Sequence, residues 1–125
     1  MSAPKALIVD DNALNVELVS VVLQADSFLV ESAGDAVGGL QRIQSFQPDL
    51  ILMDVQLPGM DGLEFARIIK REPGTRHIVV IAFTAYAMRG DEARMLAAGC
   101  DGYLSKPIDV ATFAAQVRAF LPRRD

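Results

Sequence analysis

Leu50-Ile51-Leu52-Met53-Asp54 decides the fold: an unbroken apolar row closed by an acid. A strand with one face in water alternates apolar with polar residues. An unbroken row belongs to a strand covered on both faces, which is the habit of parallel sheets. Outward from this stretch the same pattern returns. Ala6-Leu7-Ile8-Val9 precedes it, with the weaker Phe28-Leu29-Val30 between; Ile78-Val79-Val80-Ile81-Ala82-Phe83 and the short Tyr103-Leu104 follow.

The intervening stretches carry helical periodicity. Leu14, Leu18, Val21, Val22 and Ala25 share a stripe behind Asn12, a natural N-cap. Ala36, Leu40 and Ile43 mark a weaker helix, in which Gly38 and Gly39 cost about 1 kcal/mol each relative to Ala. Leu63, Ala66 and Ile69 follow Asp61. Met88 to Ala98 forms the next helix, with Gly99 as its stop. Val110, Phe113, Ala114, Val117 and Leu121 follow Asp109, and Pro122 ends that helix. Strands and helices therefore alternate. Strand–helix–strand units cross over right-handed, so the expected fold is α/β: a doubly wound, flavodoxin-like, five-stranded parallel sheet in order 2-1-3-4-5, with five helices on its two faces.

Composition bounds the function. A chain of 125 residues, 51% of them hydrophobic, makes one domain of ordinary size, spanning 1–125 with no output domain expected. The net charge of −4 argues against nucleic acid as a partner, because binding it takes a basic surface. No apolar run is long enough to cross a membrane, and Met1-Ser2-Ala3-Pro4-Lys5 carries no signal-peptide core, so a cytoplasmic location is expected. The single cysteine, Cys100, excludes an internal disulfide.

Four of the five apolar runs end in polar residues: Asp10-Asp11, Asp54, Thr84, and Ser105-Lys106. Any one of these is an ordinary strand end. In a parallel sheet, however, all of them gather at one edge, where such folds bind ligands. Two carboxylates about 4 Å apart repel by about 4 kcal/mol at an effective dielectric of 20. Three acids together call for a cation, and oxygen-only ligands with room for water describe a Mg²⁺ site. Lys106 adds a positive charge. Helix capping by Asp11 accounts for one of the adjacent acids and leaves the other unexplained.

The constellation resembles the receiver domain of two-component response regulators over essentially the whole chain. The matching segments are Leu7-Ile8-Val9-Asp10-Asp11-Asn12, Met53 through Gly62, Ala82-Phe83-Thr84-Ala85-Tyr86-Ala87 and Tyr103-Leu104-Ser105-Lys106-Pro107. The resemblance implies that Asp54 accepts a phosphoryl group from a phosphohistidine donor. Asp10, Asp11, Asp54 and the backbone carbonyl of Gln56 would hold Mg²⁺, or Mn²⁺ in its place. Lys106, the Thr84 hydroxyl and the backbone of Ala85 would steady the transferred group. Thr84 and Tyr103 would form the switch, remodelling the face of helix 4, strand 5 and helix 5. Gln56 and Tyr86 would set the lifetime of the mark, and the peptide bond before Pro107 would be cis. The implied partners are a histidine kinase or a histidine phosphotransfer protein, met in part through helix 1, and a downstream protein target. The receiver itself would be a monomer or weak dimer and a switch rather than a turnover enzyme.

Other readings weigh less. An aspartate-nucleophile phosphatase or phosphomutase places a second acid two residues after its nucleophile, and here that residue is Gln56. A flavodoxin-like carrier would show a phosphate-binding loop after the first strand, and none is present. A phosphorylation-independent interaction module would not need all of Asp10, Asp11, Asp54, Thr84 and Lys106. A receiver cut from a hybrid histidine kinase carries the same motifs. His77 and Cys100 read as bland, Phe83 as a residue packed on a helix, and Gly59 as a turn position of positive φ.

Overall fold

The computed structural model describes residues 3–84 and 91–121. Strands β1 (Lys5–Val9), β2 (Leu29–Ala33), β3 (Leu50–Met53), β4 (Val79–Thr84) and β5 (Gly102–Ser105) alternate with helices α1 (Ala13–Ala25), α2 (Ala36–Phe46), α3 (Gly62–Arg71), α4 (Asp91–Ala97) and α5 (Phe113–Ala119). All pairings are parallel, in the order β2-β1-β3-β4-β5 expected from the apolar runs. The unbroken runs are covered on both faces: Ala6 to Val9 and Leu50 to Met53 are wholly inaccessible to solvent. Burying each such large side chain contributes about 1.5–3 kcal/mol.

The sheet separates two apolar layers. One joins Leu7, Val9, Ile51 and Met53 to α2, α3 and α4 through Ile43, Phe65, Ile69 and Met95. The other joins Ile8, Leu52 and Ile81 to α1 and α5 through Val19, Leu23, Phe113 and Val117. Phe83 meets Phe113 of α5 with ring centroids 5.6 Å apart, the packing expected of it.

Four boundaries or faces differ from the sequence reading. In α1 the core stripe is Val19 and Leu23, backed by half-buried Val16 and Val22. Leu14, Leu18 and Val21 face solvent at 80%, 43% and 58% exposure, and Ala25 is exposed too. The helix carries two apolar stripes, and periodicity cannot choose between them. Its rotation is fixed by the entry turn, where Asn12 caps the helix by accepting the Asn15 N–H and Asp10 accepts the Asn12 N–H. In α5 the helix begins at Phe113, and Val110 lies 60% exposed in the turn before it. There Asp109 Oδ1 accepts the Ala111 N–H, a side-chain turn that competes with helix. β2 runs on to Ala33, with Phe28 buried ahead of it and Leu29 exposed. Similarly, β4 starts at Val79, one residue into its apolar run, with Ile78 buried just ahead of it and His77 exposed in the preceding turn.

The helix stop Gly99 adopts φ +101° and the turn residue Gly59 φ +81°, both as expected. The predicted helix start at Met88 and the stop at Pro122 lie outside the described residues. Gly39, a costly residue in a helix, is explained by clearance: a Cβ there would stand 3.1 Å from Phe65 and Val9.

Candidate functional site

Parallel strands bring their carboxyl ends to one edge, and backbone bonds to neighbouring strands lock each site residue there. The Asp10 N–H donates to Ala33 O at 3.0 Å, the Asp54 N–H to Val9 O at 2.9 Å, and the Lys106 N–H to Thr84 O at 2.9 Å. Among the described residues, Asp10, Asp54 and Thr84 are the buried polar ones, at 3%, 9% and 3% exposure; Asp11 is exposed.

Lys106 ties the edge together. Its Nζ donates to Asp10 Oδ2 and to Asp54 Oδ2, both at 3.0 Å, and lies 5.3 Å from the Phe83 ring centroid. Burial pulls the Lys106 pKa down, but its hydrogen bonds to Asp10 and Asp54 and their charges outweigh burial, so the net shift is upward. The lysine therefore stays an ammonium. The Lys106–Pro107 peptide is cis.

The remaining carboxylate valences are also organised. Asp54 Oδ1 accepts the Gln56 N–H at 3.0 Å. Asp10 Oδ1 accepts the Asn12 N–H at 2.9 Å, and Asp10 Oδ2 accepts the Asn15 side-chain amide at 2.7 Å. Carboxylate oxygens of Asp10, Asp11 and Asp54 lie within 4.8 Å of one another. Three carboxylates against one ammonium leave a surplus of negative charge at a partly buried edge. Hard oxygen donors at this spacing suit a small divalent cation.

Beside Asp54 a cleft of about 420 Å³ opens between the β3–α3 connection and α4, lined by Gln56, Asp61, Leu63, Thr84, Arg94 and Met95. Tyr103 is half-buried on β5, packed against the layer that holds Met95, and its Oη lies 3.5 Å from Glu92 Oε2. Ala85 and Tyr86 lie outside the described residues.

The sequence model of the response regulator receiver domain matches residues 6–118. The chain belongs to the response regulator receiver family. Receivers are signalling switches; they bind Mg²⁺ at an acidic pocket and work with histidine kinases or phosphotransfer proteins and with downstream targets. The aspartate cluster of this receiver is compatible with a phosphorylation site. The polar-differentiation response regulator DivK of Brucella anthropi is 41% identical over 119 residues, covering 94% of this chain and 97% of that protein. DivK of Brucella ovis is 41% identical over 115 residues, covering 92% and 94%. Among solved structures, chemotaxis response regulator CheY4 of Vibrio cholerae superposes with a TM-score of 0.90 at 28% identity, covering 96% of this receiver and all of CheY4. The receiver domain of sensor histidine kinase PA1611 from Pseudomonas aeruginosa, solved with a magnesium ion in its active-site cleft, gives a TM-score of 0.85 at 29% identity, covering 95% and 98%.

Two residues of this edge escaped the sequence reading. Gly62 opens α3 where a Cβ would collide with the Asp54 carbonyl oxygen and stand 2.9 Å from Val55 Cα. Asn15 reaches back from the first turn of α1 to Asp10. Its only signal in the sequence is an amide residue one turn beyond the N-cap. No helix among the described residues is long and apolar enough to cross a membrane.

Proposed function

We propose that Asp54 is the phosphoacceptor of this receiver. The observation that carries the reading is the Lys106 ammonium bridging Asp10 and Asp54 at 3.0 Å each. Of the two buried carboxylates that it bridges, Asp54 is the less enclosed, and the residues that follow it, Val55 and Gln56, line the cleft. An Asp54 carboxylate oxygen attacks the phosphorus of a phosphohistidine. The O–P bond forms, the P–N bond breaks, and its electron pair returns to the imidazole. Lys106 neutralises charge on the moving phosphoryl group, and the Thr84 hydroxyl and the Ala85 N–H complete its hydrogen bonding. Asp10, Asp11, Asp54 and the Gln56 carbonyl would hold Mg²⁺ or Mn²⁺, which supplies further neutralisation and in-line orientation when bound. Gln56 and Tyr86 set the lifetime of the acyl phosphate. Thr84 and Tyr103 relay the change to the face of α4, β5 and α5.

The donor docks on α1. Leu14, Leu18 and Val21 form an exposed apolar stripe next to the acid cluster, suited to a helix of a histidine kinase or phosphotransfer protein. Leu18→Asp should slow transfer from a phosphohistidine protein by at least tenfold relative to transfer from a small donor; equal slowing of both would remove α1 from the docking surface.

The primary test is intact-protein mass after incubation with a small-molecule phosphodonor. One phosphoryl group should appear on the wild type with Mg²⁺, and none on Asp54→Asn or without the metal. Labelling of Asp54→Asn at the wild-type level would move the acceptor elsewhere.

A further inference from the structure

We propose that Asn15 is a positioning residue of the metal site, which holds Asp10 in its ligating orientation when Lys106 lets go. The inference rests on the reading of the acid cluster given above. Asp10 is the most enclosed of the three acids, and its carboxylate is held at several points. Oδ1 accepts the Asn12 N–H at 2.9 Å. Oδ2 accepts two donors: Lys106 Nζ at 3.0 Å and Asn15 Nδ2 at 2.7 Å. A carboxylate only accepts, so the Asn15 side chain must present its NH₂ and not its carbonyl to Asp10.

The two donors on Oδ2 differ in what they can do. Lys106 is an ammonium on a long side chain that also serves Asp54, and it occupies the space between two candidate metal ligands. A bound cation repels it, and a phosphoryl group on Asp54 draws it away. Once Lys106 leaves, Asp10 keeps only the Asn12 N–H on one oxygen and Asn15 on the other. Asn15 is neutral, so it does not compete with a cation. It is also anchored in the first turn of α1, where its own N–H donates to the cap residue Asn12 at 3.0 Å. That backbone bond survives replacement of the side chain, so substitution at 15 removes the amide without uncapping the helix. Partners of this kind typically change metal affinity by about 10–100-fold.

The test is Mg²⁺ binding by calorimetry to the unphosphorylated protein, comparing wild type, Asn15→Ala, Asn15→Gln and Gln24→Ala, an exposed change farther along α1. Asn15→Ala should raise the Mg²⁺ dissociation constant about tenfold. Asn15→Gln, which restores a donor on a longer arm, should recover part of the loss, and Gln24→Ala should bind as the wild type does. Melting temperatures in chelator should differ little between wild type and Asn15→Ala, which separates positioning from loss of fold. A wild-type dissociation constant in Asn15→Ala, or equal weakening by Gln24→Ala, overturns the role of Asn15 and leaves the site intact. Failure of the wild type itself to bind Mg²⁺ overturns the metal-site reading and this inference with it.

Discussion

The two edges of the sheet both carry charge, and they use it differently. At the amino edge, Lys70 stands against Asp101, and Asp49 holds the start of β1. Lys70 Nζ reaches Asp101 Oδ2 and Ile78 O, each at 2.7 Å. Asp101 in turn accepts the Val80 N–H at 2.8 Å, and Asp49 accepts the Lys5 N–H at 2.9 Å. Lys70 matches Asp101 there, and each carboxylate stitches the start of a strand. At the carboxyl edge Lys106 faces Asp10, Asp54 and Asp11, and the charges do not balance. Balanced charge with backbone partners fastens the fold. Surplus charge of one sign, held in place and partly buried, stores an affinity for something not yet bound.

Removing the cation from each edge tests that contrast most severely. Lys106→Met leaves Asp10 and Asp54 facing each other without compensation, and should cost on the order of 3 kcal/mol in chelator, as for other ion pairs broken on one side. Added Mg²⁺ should restore more stability to this variant than to wild type, because the competing ammonium is gone. Urea unfolding with and without the metal reads both. The wild type carries a related signature. A raised Lys106 pKa means that its contribution is complete below the unfolded value near 10.5 and is lost as pH climbs through the folded value.

The next effect is steric. Gly62→Ala places a methyl group against the Asp54 carbonyl and Val55 Cα, both backbone. Neither can turn aside, so the β3–α3 connection must move, at about 2 kcal/mol. Phosphoryl uptake should fall with it, because the same shift displaces Asp54. At the amino edge, a Cβ on Gly99 meets the flexible Lys70 side chain, 2.8 Å away, so a substitution there is opposed by the local φ of +101° and not by packed backbone. A Gly62→Ala variant as stable and as readily phosphorylated as wild type would show that the carboxyl edge is no more rigidly built than the other.

The strands and the acid cluster were legible because they are one-dimensional signals. Leu50 to Met53 read as a buried strand from composition alone, and parallel pairing then carried Asp10, Asp54, Thr84 and Lys106 to one edge without further information. What stayed hidden depends on rotation and clearance. Leu14, Leu18 and Val21 satisfy a helical period as well as Val19 and Leu23 do, and only the Asp10–Asn12 entry turn decides which stripe meets the sheet. Val110 fits the α5 period but is claimed by the Asp109 turn. Gly62 and Asn15 matter through atoms far from them in sequence, and a string of residues carries no distances.

The smallest effect belongs to the amino edge. Lys70→Met should cost about 1 kcal/mol, since the ion pair it breaks is partly open to water, and should leave Mg²⁺ binding and phosphoryl uptake unchanged. A finer readout is the neighbouring thiol. Cys100 is buried, and burial above all, with the charge of Asp101, raises its pKa from 9.0 to about 11, while Lys70 works the other way. The folded state therefore holds the thiol proton between pH 9 and about 11 where the unfolded chain releases it, so stability is complete below pH 9 and declines across that window. Taking Lys70 away should move the thiol further upward and carry the decline to higher pH, and Cys100→Ala should flatten it. Thiolate absorbance and unfolding free energy against pH follow both changes. An unchanged thiol titration in Lys70→Met would mean that water, and not this lysine, screens Asp101, and that the amino edge is fastened by its backbone bonds alone.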